Sequence, residues 1–229
     1  MIIHQIHSIG DIIFLEPMFR HFFKKNNEKP LVPVRNHLMW LSDYIESAQF
    51  ITESSYTKMN KAGEKINTMY ANQLYRGLPM DYHEDFENCM LDKYRLAKLP
   101  TEMWLDIDLK FNPCNGENLM TEFLTYHYGE YILKNEYSQA GNINIEIDQD
   151  ELPVYSMKSV DGFTLIDWYM LIFHAKEFHT VSTSTFYLLQ AMKNKFPNMA
   201  TKIFIYPRPN RDGLRGITNL HPTFEFETR

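Results

Sequence analysis

Apolar positions open the chain. Residues 1–6 form a short β-branched run closed off by Gly10, the pattern of a buried strand. The spacing then changes. Ile12, Leu15, Phe19, Phe22 and Phe23 recur at three- and four-residue steps, which is one face of an amphipathic helix. Pro17 falls inside that pattern and predicts a kink or a new segment. Lys24 and Lys25 sit at its end, where the helix dipole favours cations. Residues 26–30 make the exit turn. Residues 31–34 read as a second strand, placed near a sheet edge by Pro33. Residues 37–45 read as a helix with Leu38, Leu41 and Ile45 inward, and residues 49–52 as a third strand. Strand and helix alternate, which predicts an α/β fold with a parallel sheet.

Residues 58–71 are polar and without a clear period. Residues 77–100 carry a helical pattern that includes Phe86, Met90 and Tyr94 and stops at Leu99-Pro100. The densest turn cluster follows at residues 111–116, and it predicts a boundary between domains 1–113 and 114–229. Beyond it, residues 119–126 suit a helix, and residues 131–133, 144–147 and 153–157 suit strands. Residues 164–177 form the clearest helix, with Leu165, Trp168, Ile172 and Ala175 as its buried stripe. Thr164 and Asp167 resemble a capping box at its start. A strand at 178–181 leads into Ser182-Thr183-Ser184-Thr185, which opens another helix with Phe186 and Leu189 inward. Residues 202–206 are a last strand, followed by a tail with Arg208, Arg211 and Arg215.

Composition narrows the function classes. The chain has 229 residues, 44% hydrophobic and 23% charged, enough for one large or two small soluble domains. Only 9 residues are Gly, and no Gly-x-Gly-x-x-Gly loop occurs, which argues against a dinucleotide-dependent enzyme. A net charge of -6 does not favour nucleic acid as a partner. The Arg208, Arg211 and Arg215 group is the dense basic patch. Cys89 and Cys114 match no metal or redox spacing. Neither a signal peptide nor a transmembrane segment is visible, so a cytoplasmic protein is expected.

Two strand–helix junctions carry the candidate chemistry. Asp11 follows Gly10 where a strand gives way to a helix, the place where α/β proteins bind ligands. Its plainer role is a helix cap, and the residues alone favour that role. Ser182, Thr183 and Ser184 offer hydroxyls and free N–H groups at a helix start, which suits an anion and equally suits a cap and turn. Asp106-Ile107-Asp108 has the form of a metal-binding DxD. Its flanking Leu105 and Leu109 give strict alternation, so both carboxylates read as the wet face of a strand and no metal is expected. His4 with His7, and His174 with His179, lack a ligand spacing and read as surface or strand-end residues. The Trp residues read as core, although an exposed Trp40 or Trp104 would suit stacking on a sugar ring.

These two junctions, one per half, resemble those of GT-B glycosyltransferases, and glycosyltransferase family 9 (heptosyltransferase-like) most. The N-terminal match is Ile9-Gly10-Asp11-Ile12-Ile13 with Pro17 downstream. The C-terminal match is residues 175–184, then Tyr187 and Leu188. The resemblance implies a compact GT-B-like α/β fold, two small Rossmann-like domains with parallel sheets facing a cleft. The first domain would face the acceptor, and the second would bind the nucleotide-sugar. It implies a metal-independent transfer of a sugar from a nucleotide-sugar donor to a glycan or other hydroxyl acceptor, with no further cofactor. By the same resemblance Asp11 is the general base, with donor-binding residues Gly10, Lys134, Ser182, Thr183, Ser184 and Arg208. Ser182 stands where the family has Asp, and Tyr187 where it often has His. Those departures support the alternative of a catalytically degenerate scaffold that serves as a binding or interaction protein.

Overall fold

The apolar opening forms β1 (Ile2–His4), whose residues are all buried. The computed structural model describes residues 1–5, 8–62, 68–70, 86–125, 129–138, 141–147, 152–207 and 227–228. Within them the chain divides into two compact units, Met1–Lys110 and Phe111–Arg229.

In the first unit β1 pairs in parallel with β2 (Leu31–Val34) on one side and β4 (Thr68–Tyr70) on the other. β3 (Gln49–Thr52) adds in parallel to β2, giving the order β3-β2-β1-β4. A parallel strand covered on both faces has to be apolar throughout, which is why β1 reads as a run and not as an alternation. Pro33 does not put β2 at an edge. The Leu31 N–H donates to the Met1 carbonyl at 2.9 Å, so by alternation the donor that Pro33 lacks would also face β1. There the pairing is limited to Ile2 with Leu31, and the ladder has ended before Pro33 is reached.

Pro17 starts a new segment, as expected. α1 (Ile9–Phe14) stops at Leu15, and α2 (Glu16–Asn26) carries Pro17 in its first turn, where a missing N–H is harmless. Asn27, at φ 53°, closes α2 in the left-handed conformation. Ile12, Ile13, Phe14, Leu15, Met18 and Phe19 are fully buried. Phe14 stacks on Trp104 at 5.6 Å and meets the edge of Tyr94 at 5.2 Å, so Trp104 is core and not a sugar platform. Trp40 is half-buried, edge-on to Tyr44. Glu16 is buried too. It accepts from Arg20 at 3.2 Å, Ser47 at 3.2 Å and the Asp108 N–H at 2.9 Å. Burial still outweighs those bonds and pushes its carboxyl above the usual range.

The polar stretch after β3 is helical at its start. α3 (Glu53–Lys61) is capped by Thr52, whose hydroxyl accepts from the Ser55 N–H at 3.2 Å. α4 (Phe86–Leu96) is the described part of the helix expected over 77–100, residues 77–85 lying outside the described residues. The DxD is not in a strand. A short 3₁₀ helix, Thr101–Asp106, runs into an extended segment in which Ile107 and Leu109 are buried and Asp108 is exposed. The alternation was read correctly, but the element was not.

In the second unit the turn cluster proves to be a helix start. Asn112 caps α5 (Pro113–Leu124), accepting from the Asn115 N–H at 3.3 Å with Pro113 in the first turn. A parallel sheet follows in the order β6-β5-β7-β8-β9. Its strands are β5 (Ile132–Asn135), β6 (Val154–Ser156), β7 (Glu177–Val181), β8 (Lys202–Tyr206) and β9 (Glu227–Thr228). Residues 144–147 are irregular, not a strand. The helix expected over 164–177 is a 3₁₀ turn, Ile166–Trp168, continued by α6 (Tyr169–His174). Its capping box is real, because Asp167 Oδ2 accepts from the Thr164 N–H at 2.7 Å. α7 (Thr185–Lys195) follows β7 and is buried from Thr185 to Met192. Among the described residues no helix is long and apolar enough to cross a membrane.

Gly116 shows how tightly α5 meets α6. A Cβ added there would lie 2.8 Å from Tyr169 Cε1 and 3.0 Å from Met170 Cβ. The Tyr169 ring cannot swing aside, since it stacks on Phe196 at 5.9 Å and packs on Phe111 at 4.7 Å. Overpacking of this kind costs about 1–3 kcal/mol. The better helix propensity of Ala returns up to about 1 kcal/mol. Gly116→Ala is therefore expected to lower Tm, read by thermal denaturation, and an unchanged or raised Tm would show that the contact yields.

Candidate active site

In an open parallel sheet the chain leaves its central strand to one side and later returns to the other. The crevice at the carboxyl ends of those diverging strands is where ligands bind. The first sheet diverges at β1, between β2 and β4, and the second at β5, between β6 and β7. The side chains at those two points define the candidate site in each unit.

In the first unit Gln5 follows β1 directly, and Ser8 begins the turn into α1. Asp11 is the third residue of α1 and caps nothing, for Ser8 holds the N-cap position. Gly10 before it is buried. The Asp11 carboxylate instead forms a short ion pair, through Oδ1, with the Lys93 ammonium. Lys93 comes from α4, fully buried, and also donates to Gln5 Oε1 at 3.1 Å. A buried ammonium is unfavourable by several kcal/mol unless it is compensated. Asp11 supplies the charge and Gln5 the extra acceptor. Asp11 keeps 18% of its side chain exposed, and Oδ2 has no further partner among the described residues. One carboxylate oxygen is thus anchored inside, and the other is not engaged by any described residue.

Lys93 was not singled out from the sequence, although a signal existed. It lies three residues after Met90 and just before Tyr94, so a charge falls on the buried stripe of α4, where Met90 and Tyr94 are 1% and 0% exposed. A lysine inside an apolar stripe implies a buried partner.

In the second unit the junction between β7 and α7 carries Ser182, Thr183 and Ser184. Ser182 is buried, with its N–H donating to the Tyr206 carbonyl at 2.9 Å, while Thr183 and Ser184 are half-buried. Ser184 stands at the N-cap of α7 without a side-chain capping bond. Behind them runs a chain of polar groups that the sequence did not announce. Asn135, at the end of β5, donates to Thr180 Oγ1 at 3.2 Å. Thr180 lies 2.8 Å from Thr185 Oγ1, which lies 3.0 Å from Thr183 Oγ1. The register of β5 on β7 sets this up, because it places Asn135 opposite Thr180.

Lys134 points elsewhere. Its ammonium pairs with Glu136 at 2.9 Å and donates to the Ile145 carbonyl at 3.3 Å, so it links Glu136 to Ile145. Burial works to raise the Glu136 carboxyl. The Ile145 N–H, Lys134 and Ser156 outweigh it and hold the group below the usual range. Arg208, with Arg211 and Arg215, lies outside the described residues, as does His7. His179 is not a strand-end residue. It is buried in mid-β7, with Nε2 3.1 Å from Glu177 Oε2, Nδ1 2.9 Å from Tyr206 Oη and its ring stacked on Phe204 at 4.4 Å. His4 ends β1 beside Tyr56, and His174 is exposed. Tyr187 is buried in α7 at 2% exposure. Asp106 is paired with Arg20 at 3.1 Å.

Two parallel α/β units, each with polar groups gathered at its diverging strand, define the class. The fold is that of the GT-B glycosyltransferases. Among solved structures the chain is similar to those of glycosyltransferase family 9 and the heptosyltransferases. One is the iron-containing dodecameric glycosyltransferase TibC of enterotoxigenic E. coli, with TM-score 0.55, 12% identity, 94% of this chain and 63% of that one covered. A second structure of TibC, in complex with ADP-D-β-D-heptose, matches at TM-score 0.51 and 10% identity. Another is the family 9 glycosyl transferase of Veillonella parvula, at TM-score 0.54 and 7% identity, covering 100% of this chain and 85% of that one. The E. coli ADP-heptose lipopolysaccharide heptosyltransferase II matches at TM-score 0.54 and 9% identity, with 100% and 90% covered. The chain thus spans less than two thirds of TibC and most of the other two. The likeness is one of fold. No protein-family model matches the sequence, and no curated protein does.

The Glu136 clamp gives a pH dependence of known sign. A carboxyl held low in the folded state stabilises it above the ordinary value, near 4.5, and that contribution is lost as pH falls through the lowered folded value. The gap in urea midpoint between the wild type and Glu136→Gln should be constant near neutrality and shrink below that value. A gap that widened with acid would contradict the assignment.

Proposed function

We propose that the chain is a metal-independent glycosyltransferase that moves a sugar from a nucleotide-sugar donor to a hydroxyl acceptor. The observation that carries this reading is Asp11, anchored at β1's end by a buried lysine with one carboxylate oxygen left over. The fold likeness supports it, and so does the donor bound in one of the similar structures, an ADP-heptose. The donor in this reading is a nucleoside-diphosphate sugar, and no cofactor beyond it is needed.

The first unit supplies the base. The acceptor O–H gives its proton to Asp11 as its oxygen bonds to the anomeric carbon. The bond from that carbon to the phosphate oxygen breaks, and the electron pair leaves with the nucleoside diphosphate. The second unit holds the donor. Ser182, Thr183 and Ser184, with the N–H groups that open α7, bind the pyrophosphate, with Arg208 as a further proposed donor contact. Helix N–H groups and hydroxyls take the load that a metal carries in other transferases. Asp106 of the DxD is already engaged by Arg20. The acceptor is a glycan or another hydroxyl compound.

Thermal stabilisation by ADP, UDP, GDP and CDP, with and without chelator, tests the donor side. Saturation at a hundred times Kd stabilises the fold by about 2.7 kcal/mol. One nucleotide should raise Tm, and chelator should not change the shift. If none of them does, the chain is a degenerate scaffold. Asp11→Asn tests the base: transfer should fall by about 10²–10⁴-fold with nucleotide binding intact, and transfer at the normal rate would remove Asp11 from the mechanism.

A further inference from the structure

We infer that Lys93 is a positioning residue for the transfer reaction: its buried ammonium, held between Gln5 and Asp11, aims the Asp11 carboxylate at the acceptor hydroxyl. The inference rests on the reading of Asp11 as general base.

Through its described contacts Lys93 ties Asp11 to the end of β1. Its side chain is fully buried, so it cannot reach a bulk ligand itself. Its described partners are the Gln5 amide oxygen, fixed to the end of the central strand, and Asp11 Oδ1 on α1. Gln5 is 2% exposed and continues β1, the strand with neighbours on both sides. The ammonium is therefore tied to the end of an interior strand of the first sheet. A carboxylate on a six-residue helix has free χ1 and χ2 rotation unless something holds it. A charge-assisted bond to one oxygen removes that freedom and leaves Oδ2 without a described partner on a side chain that is 18% exposed. A base a fraction of an ångström out of place loses much of its effect, because proton transfer needs hydrogen-bond distance to the attacking hydroxyl.

Lys93 also bears on where the proton goes. As the acceptor O–H proton moves to Asp11 Oδ2, the anomeric carbon–oxygen bond forms and the nucleoside diphosphate departs with the electron pair of the broken bond. In this role Lys93 is not the proton acceptor; it acts through Asp11.

That restriction gives the test. Turnover is read as ADP release from ADP-heptose with water as the acceptor hydroxyl, which gives free heptose, by four chains: wild type, Lys93→Met, Asp11→Asn and the double variant. Lys93→Met keeps an unbranched apolar stem, one atom shorter, and removes the charge. We expect kcat to fall at least about ten-fold in Lys93→Met, with KM for ADP-heptose and ADP-induced stabilisation unchanged. We expect the double variant to match Asp11→Asn within about two-fold, because two residues acting as a unit are not additive. A further drop from Asp11→Asn to the double variant equal to that of Lys93→Met alone would make Lys93 merely structural and overturn the inference. So would a Lys93→Met chain with wild-type kcat. Wild-type turnover no faster than that of Asp11→Asn would instead remove the base reading, and the inference with it. If Lys93→Met does not fold, Gln5→Glu approaches from the other side. A second carboxylate draws the ammonium off Asp11, and kcat should fall with KM unchanged; an unaltered kcat there overturns the inference.

Discussion

Parallel pairing is the constraint on which the rest of this protein depends. Two parallel strands cannot be joined by a tight turn, so each return crosses the sheet, and every strand delivers its carboxyl end to the same edge. In the first unit the chain departs from β1 to β2 and comes back to β4; in the second it departs from β5 to β6 and comes back to β7. The residues with chemistry to offer gather at those two places. Gln5, Asp11 and Lys93 meet beyond β1, and Asn135, Thr180, Thr185 and Thr183 meet at the ends of β5 and β7.

Two acidic groups of the first unit show how burial separates structure from chemistry. Glu16 is 2% exposed, and its oxygens are engaged by Arg20, Ser47 and the Asp108 backbone. It joins α2 to residues 47 and 106–108 and has no acceptor capacity turned outward. Asp11 is satisfied on one oxygen only and keeps contact with solvent. Both lie near the same turn of chain, a few residues apart. What distinguishes them is how many donors surround each carboxylate.

The second unit spreads its polar groups differently. Neutral donors and acceptors are packed in series behind the α7 junction. The charged groups nearby are tied up among themselves, Lys134 with Glu136 and Glu177 with His179. Hydroxyls at a helix start suit an anion.

Much of this was legible in the chain, because local patterns carry local physics. Apolar runs marked β1, β2, β3, β5, β6, β7 and β8. Pro17 marked the start of α2, the Thr164–Asp167 box was real, and the Ile9-Gly10-Asp11 junction pointed to the fold. Pro33, read as an edge signal, was misleading, since only the register of β2 on β1 shows that its missing donor faces no ladder. His179 became a buried residue through the placement of β8 beside β7. Trp104 became core through the packing of Phe14. Lys93 and Asp11 stand 82 positions apart, and Asn135 and Thr180 stand 45 apart. Periodicity over a few turns carries no information at that range. The sequence by itself determined the elements and the two junctions where ligands would be met. Which lysine faces Asp11, and which hydroxyls stand behind Thr183, was decided by strand order and register, since only the folded sheet brings distant residues within hydrogen-bond distance.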